Sequence, residues 1–398
     1  MFLISGAKVV FNRYGFVRWV RALGVGLLMV QPLAWGGAPL GRGLYVYTEP
    51  GLSALDAVPV QGVDVLLVAF LRLCGDRALP KDAERCRGKR AHELTEGPLE
   101  RALNHRLQGR KQNQPGLQVL MSIGGWGGSD GFFAMAETSK SRGVLIDAVQ
   151  RFLVTHPAFD GVDIDWEHPG GNGAANGVAL GSARDGEHYA ALLAELRQAL
   201  DALGQEQGRR YRLSIAINAT RPILNRLHWP TVAPLLDQVF IMSYDYHGAW
   251  DARTGHHAAL LGAGQDDSLE ESVQTLRAAG VPAPKLWAGA AFYGRAWRGV
   301  TRPEVGAAAT GAGLNADGAI GWRDWGARLR EPGWRQGWDA ARGAAWAWHP
   351  QRQLWVSFES PQTLRAKATW ARAQGLGGVF AWEAQQDNGE LLRAMSAP

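Results

Sequence analysis

The chain has 398 residues, 46% of them hydrophobic, so a packed core of one large domain or two ordinary ones is expected rather than disorder. Its 51 glycines follow no three-residue period, which excludes a collagen-like fibre. The formal charge is +5, but Lys8, Arg13, Arg18 and Arg21 supply four of these charges within an acid-free stretch, so a nucleic-acid partner is not indicated. Seventeen Trp suggest a groove lined by flat aromatic rings.

The first 36 residues resemble a secretory signal peptide. A basic start, an apolar run over 22–35 and small residues just beyond it are typical of such leaders. We expect residues 1–36 to be removed, within a few residues, to give a secreted or periplasmic protein over 37–398 with no stable membrane association. The alternative is an uncleaved anchor, but the run is shorter than the ~20 residues that span a bilayer, and Gln31 and Pro32 interrupt it.

Cys74 and Cys86 are the only cysteines of the chain. Two cysteines are too few for a disulfide scaffold, and their spacing matches no zinc motif. After export they are able to form one disulfide, whereas the alternative is two unpaired thiols on a polar loop. The sequence leaves both possibilities open.

Eight β-rich runs follow the leader and are mostly separated by segments with helical spacing, which is typical of a parallel βα fold. The runs are 43–48, 63–72, 117–124, 159–167, 211–219, 237–246, 285–295 and 376–383. The clearest helical segments are 144–155, 188–203, 268–279 and 364–374. We predict an α/β fold, a (β/α)8 TIM barrel with its chemistry at the carboxyl ends of the strands; the alternative is a doubly wound sheet.

A stretch rich in Ala, Gly and Trp separates the seventh and eighth predicted strands. The last helix needs only 360–374 of this stretch, so residues 296–358 are surplus to the barrel. We predict that they form a small inserted α+β subdomain at the barrel mouth.

Acidic and apolar residues alternate along the fourth predicted strand, with Asp163, Asp165 and Glu167 as the acidic members. A period of two places all three carboxyl groups on one face of the strand, and in a barrel that face is the interior. Like charges buried this close raise some pKa values, so that a protonated carboxyl stands beside one that ionises. This pairing suits the acid-base chemistry of glycoside cleavage.

Two simpler explanations of this segment are weaker. A calcium loop is disfavoured because apolar residues occupy the intervening positions and His168 stands where the loop needs glycine. A solvated edge strand is disfavoured because Ile164 and Trp166 would then face the wrong environment.

The segment DGVDIDWE resembles the D-x-x-D-x-D-x-E signature of glycoside hydrolase family eighteen, the chitinases, through Asp160, Asp163, Asp165 and Glu167. Motifs on four other strands are similar to those of the same family and follow in the same order. They are LMSIGGW with Ser122, Gly124, Gly125 and Trp126; MSYDYHGAW with Met242, Tyr244, Asp245 and Trp250; AFYGRAW with Tyr293 and Arg295; and GLGGVFAWE with Trp382.

The resemblance implies a chitinase that hydrolyses β-1,4 bonds of N-acetylglucosamine polymers with retention, assisted by the substrate's own acetamide. Glu167 would be the acid, Asp165 and Asp163 its supporting carboxyls and Tyr244 a contact of the acetamide oxygen. The other site residues would bind substrate: Trp126, Met242, Asp245, Trp250, Tyr293, Arg295 and Trp382. Neither a metal nor another cofactor is implied, and the expected partner of the monomer is chitin or its oligosaccharides.

Some assignments stay open. His168 follows the acid where the family often has Tyr, so a contact to the leaving sugar is expected to differ. Either Tyr45 or Tyr47 lines the site near the acetamide. The glycine-rich loop 171–186 either shapes the cleft or is disordered. The alternative functions are an endo-β-N-acetylglucosaminidase that acts on N-glycans and a chitin-binding lectin of the same fold without catalysis.

Overall fold

The structure is a computed structural model that describes residues 39–59, 61–262 and 267–396. The predicted leader at 1–36 lies outside these ranges, so its removal stays a prediction. No helix within the described ranges is long and apolar enough to cross a membrane.

The strands of the described residues form two separate sheets. In chain order they are β1 Gly41–Tyr47, β2 Val65–Leu71, β3 Gln118–Gly124, β4 Gly161–Asp165, β5 Arg212–Asn218, β6 Gln238–Met242, β7 Leu286–Ala291, β8 Tyr293–Arg298, β9 Gly311–Ala312, β10 Ala319–Gly321, β11 Arg335–Asp339, β12 Ala344–His349, β13 Leu354–Phe358 and β14 Gly378–Trp382.

Eight parallel strands close into a barrel in the order β1-β14-β7-β6-β5-β4-β3-β2. Seven of the eight predicted strand runs contain one of them and the first run, 43–48, overlaps β1, so the predicted TIM barrel is confirmed. Closure of the sheet excludes the doubly wound alternative. Strand β2, VLLVAFL, is apolar at every position because its outer face packs against helices and its inner face fills the barrel.

Helices surround the barrel and connect its strands. The described ones are α1 Leu52–Asp56, α2 Pro98–Asn113, α3 Gly131–Met135, α4 Ser139–Thr155, α5 Asp185–Gln207, α6 Arg221–Leu224, α7 Trp229–Val232, α8 Leu269–Ala278, α9 Trp322–Arg328, α10 Pro361–Ala373 and α11 Glu390–Met395, with short 3₁₀ helices at Pro80–Asp82, Ala233–Leu235, Ala283–Lys285 and Ala384–Gln386. Thr138, Ser268 and Ser360 cap α4, α8 and α10 by accepting a backbone N–H three residues on. All four predicted helices are present.

The second sheet is inserted between β7 and β14. It is antiparallel, with the order β10-β8-β13-β12-β11 and β9 paired to β8, and α9 completes an α+β insertion as predicted. The predicted strand 285–295 is in fact two strands, because the chain leaves the barrel at Phe292, whose N–H bonds to the Trp382 carbonyl. Tyr293 and Arg295 therefore lie on β8 of the insertion rather than on the barrel.

The loop after β2 is closed by a disulfide between Cys74 and Cys86, with the two Cα atoms 5.4 Å apart. The alternative of two unpaired thiols is therefore wrong for the structure. A backbone bridge between Leu73 and Leu94 fixes the base of the same loop. Covalent and backbone links thus hold this loop beside the carboxyl end of β2.

Replacing both cysteines, Cys74→Ser with Cys86→Ser, is expected to lower the free energy of unfolding by about 3 kcal/mol, because the open loop gains entropy in the unfolded chain. Urea unfolding followed by Trp fluorescence measures the change. Wild type in reductant is the matched comparison and should show the same loss. Equal stability of the oxidised wild type and the double variant would contradict a stabilising disulfide.

Candidate active site

The carboxyl ends of the barrel strands surround a cleft of about 1140 Å³. Ten of the eleven residues predicted for the site line this cleft: Trp126, Asp165, Glu167, Met242, Tyr244, Asp245, Trp250, Tyr293, Arg295 and Trp382. The eleventh, Asp163, is fully buried one step deeper on β4. The structure therefore brings the whole predicted set together.

Asp163 lies inside the barrel and accepts hydrogen bonds from three hydroxyl groups. Tyr45 and Ser122 donate to its Oδ2, each at 2.8 Å, and Ser214 donates to Oδ1 at 2.7 Å. Burial raises the pKa of Asp163, although the three donors oppose this shift. Both oxygens are therefore satisfied, and the carboxyl is fixed in place from β1, β3 and β5.

Asp165 stands above Asp163 on the same face of β4. Its Oδ1 is buried and accepts no hydrogen bond from the described residues. Burial raises its pKa well above the usual range, and the nearby carboxyls of Glu167 and Asp163 raise it further. Asp165 thus offers an unoccupied polar atom that a ligand in the cleft can reach.

Glu167 follows β4 and faces the open cleft, with 14% of its side chain exposed. Burial and then the negative charge of Asp245 raise its pKa to about 8. Ser129 fixes the backbone of Glu167, since its hydroxyl lies 3.1 Å from the Glu167 N–H. Glu167 is therefore protonated at neutral pH and able to act as an acid.

Two glycines at the end of β3 permit the close packing of β3, β4 and β2. A Cβ on Gly124 would lie 2.1 Å from the Asp165 carbonyl oxygen, and one on Gly125 would lie 2.5 Å from the Phe70 ring. Both residues have positive φ, +117° and +84°. The two glycines of the SIGG motif thus allow the strands to pack closely, whereas its serine, Ser122, donates a hydrogen bond to Asp163.

Asp245 is held by two side chains of the insertion. Arg295 donates from Nε and Nη2 to its two oxygens at 2.7 and 2.8 Å, and Tyr293 donates its hydroxyl at 2.8 Å. Burial alone would raise the pKa of Asp245, but the hydrogen bonds and the positive charge of Arg295, with a smaller effect of the His257 ring 3.8 Å away, lower it well below its usual range. Asp245 stays ionised, and its charge keeps the proton on Glu167.

Trp382 forms the base of the cleft at the end of β14. Its ring stacks on Phe70 with centroids 5.5 Å apart and lies 5.5 Å from Tyr45. Met242 and Tyr244 border the same space from the end of β6. Of the two tyrosines that the sequence left open, both line the cleft, and Tyr45 is the one that contacts Asp163.

Two Trp rings project from the cleft walls. Trp126 is 59% exposed and Trp250 is 60% exposed, which is unusual for such large apolar side chains. The Arg295 guanidinium lies 5.2 Å from the Trp250 ring, and the ring of His168 lies 6.1 Å from that of Trp126. Exposed rings at a cleft are suited to stacking on a flat ligand face.

The residues around Trp126 belong to the glycine-rich loop and to His168. Asn176 donates to the Gly127 carbonyl at 2.7 Å, and Gly173 lines the cleft beside the Trp126 ring. The glycine-rich loop 171–186 therefore shapes the cleft, which is the first of the two alternatives that the sequence left open. Burial and the charge of Arg226 lower the pKa of His168 to about 4, so its ring is neutral at neutral pH.

Sequence reasoning missed the cleft wall at the end of β2. Phe70, Arg72, Leu79 and Lys81 all line the cleft, although none was assigned to the site. The predicted fold could have identified these residues, because every strand of a TIM barrel ends at this face, so the residues at the end of β2 are expected there as well. Asp160, by contrast, lies before β4 at the opposite end, where it pairs with Lys111 and Arg209 at 2.6 and 2.8 Å.

The sequence profile of Glycosyl hydrolases family 18 matches residues 43–387. A relative is the "Probable endochitinase" of Orgyia pseudotsugata multicapsid polyhedrosis virus, 32% identical over 412 residues that cover 91% of this chain and 74% of that protein. Another is "Chitinase A" of Pseudoalteromonas piscicida, 32% identical over 74% of this chain and 41% of its own. The chain thus spans less than half of this bacterial relative.

Solved structures share the fold. A class V chitinase of Nicotiana tobaccum in complex with NAG4 is 26% identical, with a TM-score of 0.76 over 90% of this chain and 98% of that one. A family 18 N-acetylglucosaminidase of Paenibacillus barengoltzii is 28% identical, with a TM-score of 0.76 over 89% and 98%.

The substitution Asp245→Asn should lower the pKa of Glu167 from about 8 by about one pH unit, because it removes a negative charge and leaves the Arg295 cation nearby. Carbon-13 NMR of labelled glutamate carboxyls follows the titration. Asp147→Asn, at an exposed position of α4, is the matched control and should leave the titration unchanged. A Glu167 pKa that is identical in wild type and Asp245→Asn would contradict the charge coupling.

Proposed function

We propose that this chain, which belongs to glycosyl hydrolases family 18, is an exported chitinase that cleaves β-1,4 bonds of N-acetylglucosamine polymers by substrate-assisted, retaining hydrolysis. The family assignment makes it a glycoside hydrolase, and chitinase is the name that its relatives carry. The observation that carries the proposal is the position of Glu167 at the cleft surface, directly above the two buried carboxyls of Asp163 and Asp165 on the same strand.

Glu167 is proposed to protonate the glycosidic oxygen of the bound sugar chain. Its raised pKa keeps the proton at neutral pH, and its position facing the cleft gives the proton a path to a substrate. Once the leaving sugar departs, Glu167 is a carboxylate and accepts a proton from the incoming water. One residue therefore supplies both the acid and the base.

The nucleophile in this proposal is the acetamide oxygen of the substrate itself. That oxygen attacks the anomeric carbon while the glycosidic bond breaks, giving an oxazolinium ion that water then opens. Asp165 is proposed to accept the acetamide N–H, which supports the attack and stabilises the developing charge. Its buried, unpartnered Oδ1 is suited to that hydrogen bond.

Asp163 and the hydroxyl groups around it are proposed to support Asp165. A carboxyl fixed by Tyr45, Ser122 and Ser214 is able to take up or return charge as Asp165 binds the acetamide. Tyr244, at the cleft surface, is proposed to donate to the acetamide oxygen. The reacting group is thus held from β4 and β6 together.

Asp245, Met242 and Trp382 are proposed to position the distorted sugar, with Trp382 under its ring. Trp126 and Trp250 are proposed to stack on sugars further along the chain, because their rings are exposed at the cleft walls. Tyr293 and Arg295 act mainly through Asp245, which they hold in place. No metal or other cofactor takes part in this scheme.

Two alternatives are less well supported. A lectin of this fold has no need for a carboxyl whose proton is retained at neutral pH beside an ionised Asp245. An N-glycan endo-β-N-acetylglucosaminidase shares the β4 chemistry, but here the insertion adds Tyr293 and Arg295 to one wall of the cleft, which favours a linear chain. Export of the protein is proposed from the composition of its leader and from the disulfide.

Glu167→Gln should reduce hydrolysis of a chitotriose glycoside by ~10²- to 10⁴-fold while sugar binding persists, because only the transferable proton is lost. Steady-state kinetics and calorimetric binding measure the two effects on one preparation. Glu187→Gln, on the exposed surface of α5, is the matched control and should retain full activity. Residual activity of Glu167→Gln within about tenfold of wild type would rule out Glu167 as the acid.

Partly deacetylated chitin tests the substrate-assisted step. Cleavage is expected only after acetylated sugars, because a free amine supplies no acetamide oxygen for the attack. Mass spectrometry of the digest identifies the sugar at each new reducing end. A substantial share of glucosamine at those ends would show that the enzyme uses another nucleophile.

A further inference from the structure

The imidazole of His168 lies directly beside the carboxyl of Glu167. Its Nε2 atom is 3.8 Å from the Glu167 Oε2 atom, and the two side chains are only 13% and 14% exposed. The other ring nitrogen, Nδ1, is buried and has no hydrogen-bond partner among the described residues. The Glu167 carboxyl is therefore the side-chain group with which this ring is placed to interact.

A tight turn fixes the backbone from which the ring projects. The His168 N–H donates to the Gly171 carbonyl at 3.1 Å, and the Gly171 N–H donates to the His168 carbonyl at 2.9 Å. Within the turn, Gly170 has a φ of +87°, and its N–H donates to Asp185 at the start of α5 at 2.7 Å. The ring is thus held from a fixed point beside Glu167.

The charges around the ring keep it neutral over the range in which Glu167 titrates. Burial and the Arg226 cation lower the pKa of His168 to about 4. Arg226 packs directly on Gly170, where a Cβ would lie 1.4 Å from its Nη1 atom. A neutral imidazole carries one N–H, and this proton is best placed on Nε2, where it faces an acceptor, because Nδ1 faces none among the described residues. His168 therefore presents a donor to Glu167.

This donor matters chiefly when Glu167 is ionised. The separation of 3.8 Å in the resting site exceeds hydrogen-bond distance, so the protonated carboxyl gains little. Once Glu167 has lost its proton, the carboxylate is a strong acceptor, and a small rotation of its side chain closes the gap. Ser129 holds the backbone of Glu167 and not its carboxyl, so it does not prevent this rotation.

The other groups that face the Glu167 carboxyl act in both directions. Burial and the charge of Asp245 oppose its ionisation, and the Trp126 backbone N–H favours it. Charges on Asp165 and Glu167 repel each other as well. A carboxylate formed among these neighbours has much to gain from a second donor.

We propose that His168 is a positioning residue of the hydrolytic reaction, whose Nε2–H stabilises the Glu167 carboxylate after the acid step and orients it toward the incoming water. This inference rests on the proposed function for the role of Glu167. The hydrogen bond forms only as charge develops on Glu167, so it stabilises the transition state more than the resting enzyme. A cleft residue that only contacted sugar would change substrate affinity instead.

Carbon-13 NMR titration of labelled glutamate carboxyls measures the coupling in the substrate-free full chain. His168→Phe keeps a flat ring and removes the donor, so the pKa of Glu167 should rise by about one pH unit, as for a lost hydrogen bond to a charged group. His168→Gln supplies an amide N–H near the position of Nε2 and should reverse most of this rise. His105→Phe, exposed on α2, is the matched control and should leave the titration unchanged.

Kinetics on a chitotriose glycoside supply a second readout that packing alone does not change. In His168→Phe, kcat should fall by about tenfold with little change in KM, and the alkaline limb of kcat/KM should move upward with the Glu167 pKa. Both changes should be reversed in His168→Gln. Thermal unfolding reports whether each variant is folded, and His168→Leu is the donor-free variant to use if the phenylalanine does not fit.

An equal Glu167 pKa in the wild type and the donor-free variant would overturn the proposal, even in an active enzyme. A raised pKa that His168→Gln does not reverse, or a raised pKa with an unchanged kcat, would overturn it as well. If the pKa rises and is reversed as expected but the wild type does not hydrolyse the glycoside, the contact between His168 and Glu167 is supported and the proposed chitinase activity is rejected.

Discussion

The cost of placing carboxyl groups inside an apolar barrel governs the arrangement of the site. Asp163 and Asp165 are almost completely buried, and an isolated charge there would be strongly disfavoured. Hydroxyl groups from β1, β3 and β5 donate hydrogen bonds to Asp163. Burial also raises the pKa of both Asp163 and Asp165. Burial has the same effect on Glu167 at the surface of the cleft, where it raises the pKa and so favours the protonated carboxyl.

The insertion contributes to this electrostatic balance as much as the barrel does. Arg295 and Tyr293 keep Asp245 ionised, and the negative charge of Asp245 in turn favours the protonated form of Glu167. Two neighbouring carboxyl groups are therefore driven to opposite protonation states by their surroundings. The division between acid and anion depends on contacts from two sheets rather than on the β4 motif alone.

Most of the fold is predictable because its signals are local and periodic. Buried parallel strands read as short apolar runs, and the period of two along β4 is enough to assign Asp163 and Asp165 to the inner face of the barrel. The change of sheet at Phe292 was missed, since this one residue is all that separates β7 from β8 and no turn residue marks the break. Two hydrogen bonds to positions far away in sequence mark that boundary: the Phe292 N–H donates to the Trp382 carbonyl, and the Phe292 carbonyl accepts from the Trp322 N–H.

The cleft wall at the end of β2 was missed for a related reason. Arg72 and Asp82 look like ordinary surface charges in the sequence, and only their burial against each other shows that they are structural. The two cysteines were equally ambiguous, because pairing depends on how the loop returns to the strand. The ion pair and the disulfide join positions only 10 and 12 residues apart, but whether they form depends on how the loop folds back, and composition and spacing do not determine that.

The link between Asp245 and β8 has a consequence for how this enzyme can be altered or can diverge. A segment inserted into a barrel is usually a tolerated addition, free to be shortened or exchanged among relatives. Here the first strand of the insertion carries the guanidinium that neutralises a barrel carboxylate. Deletion of the insertion would leave that carboxylate without its counter-ion, so a graft between homologues must keep β8 with the barrel and exchange only the segments that follow it.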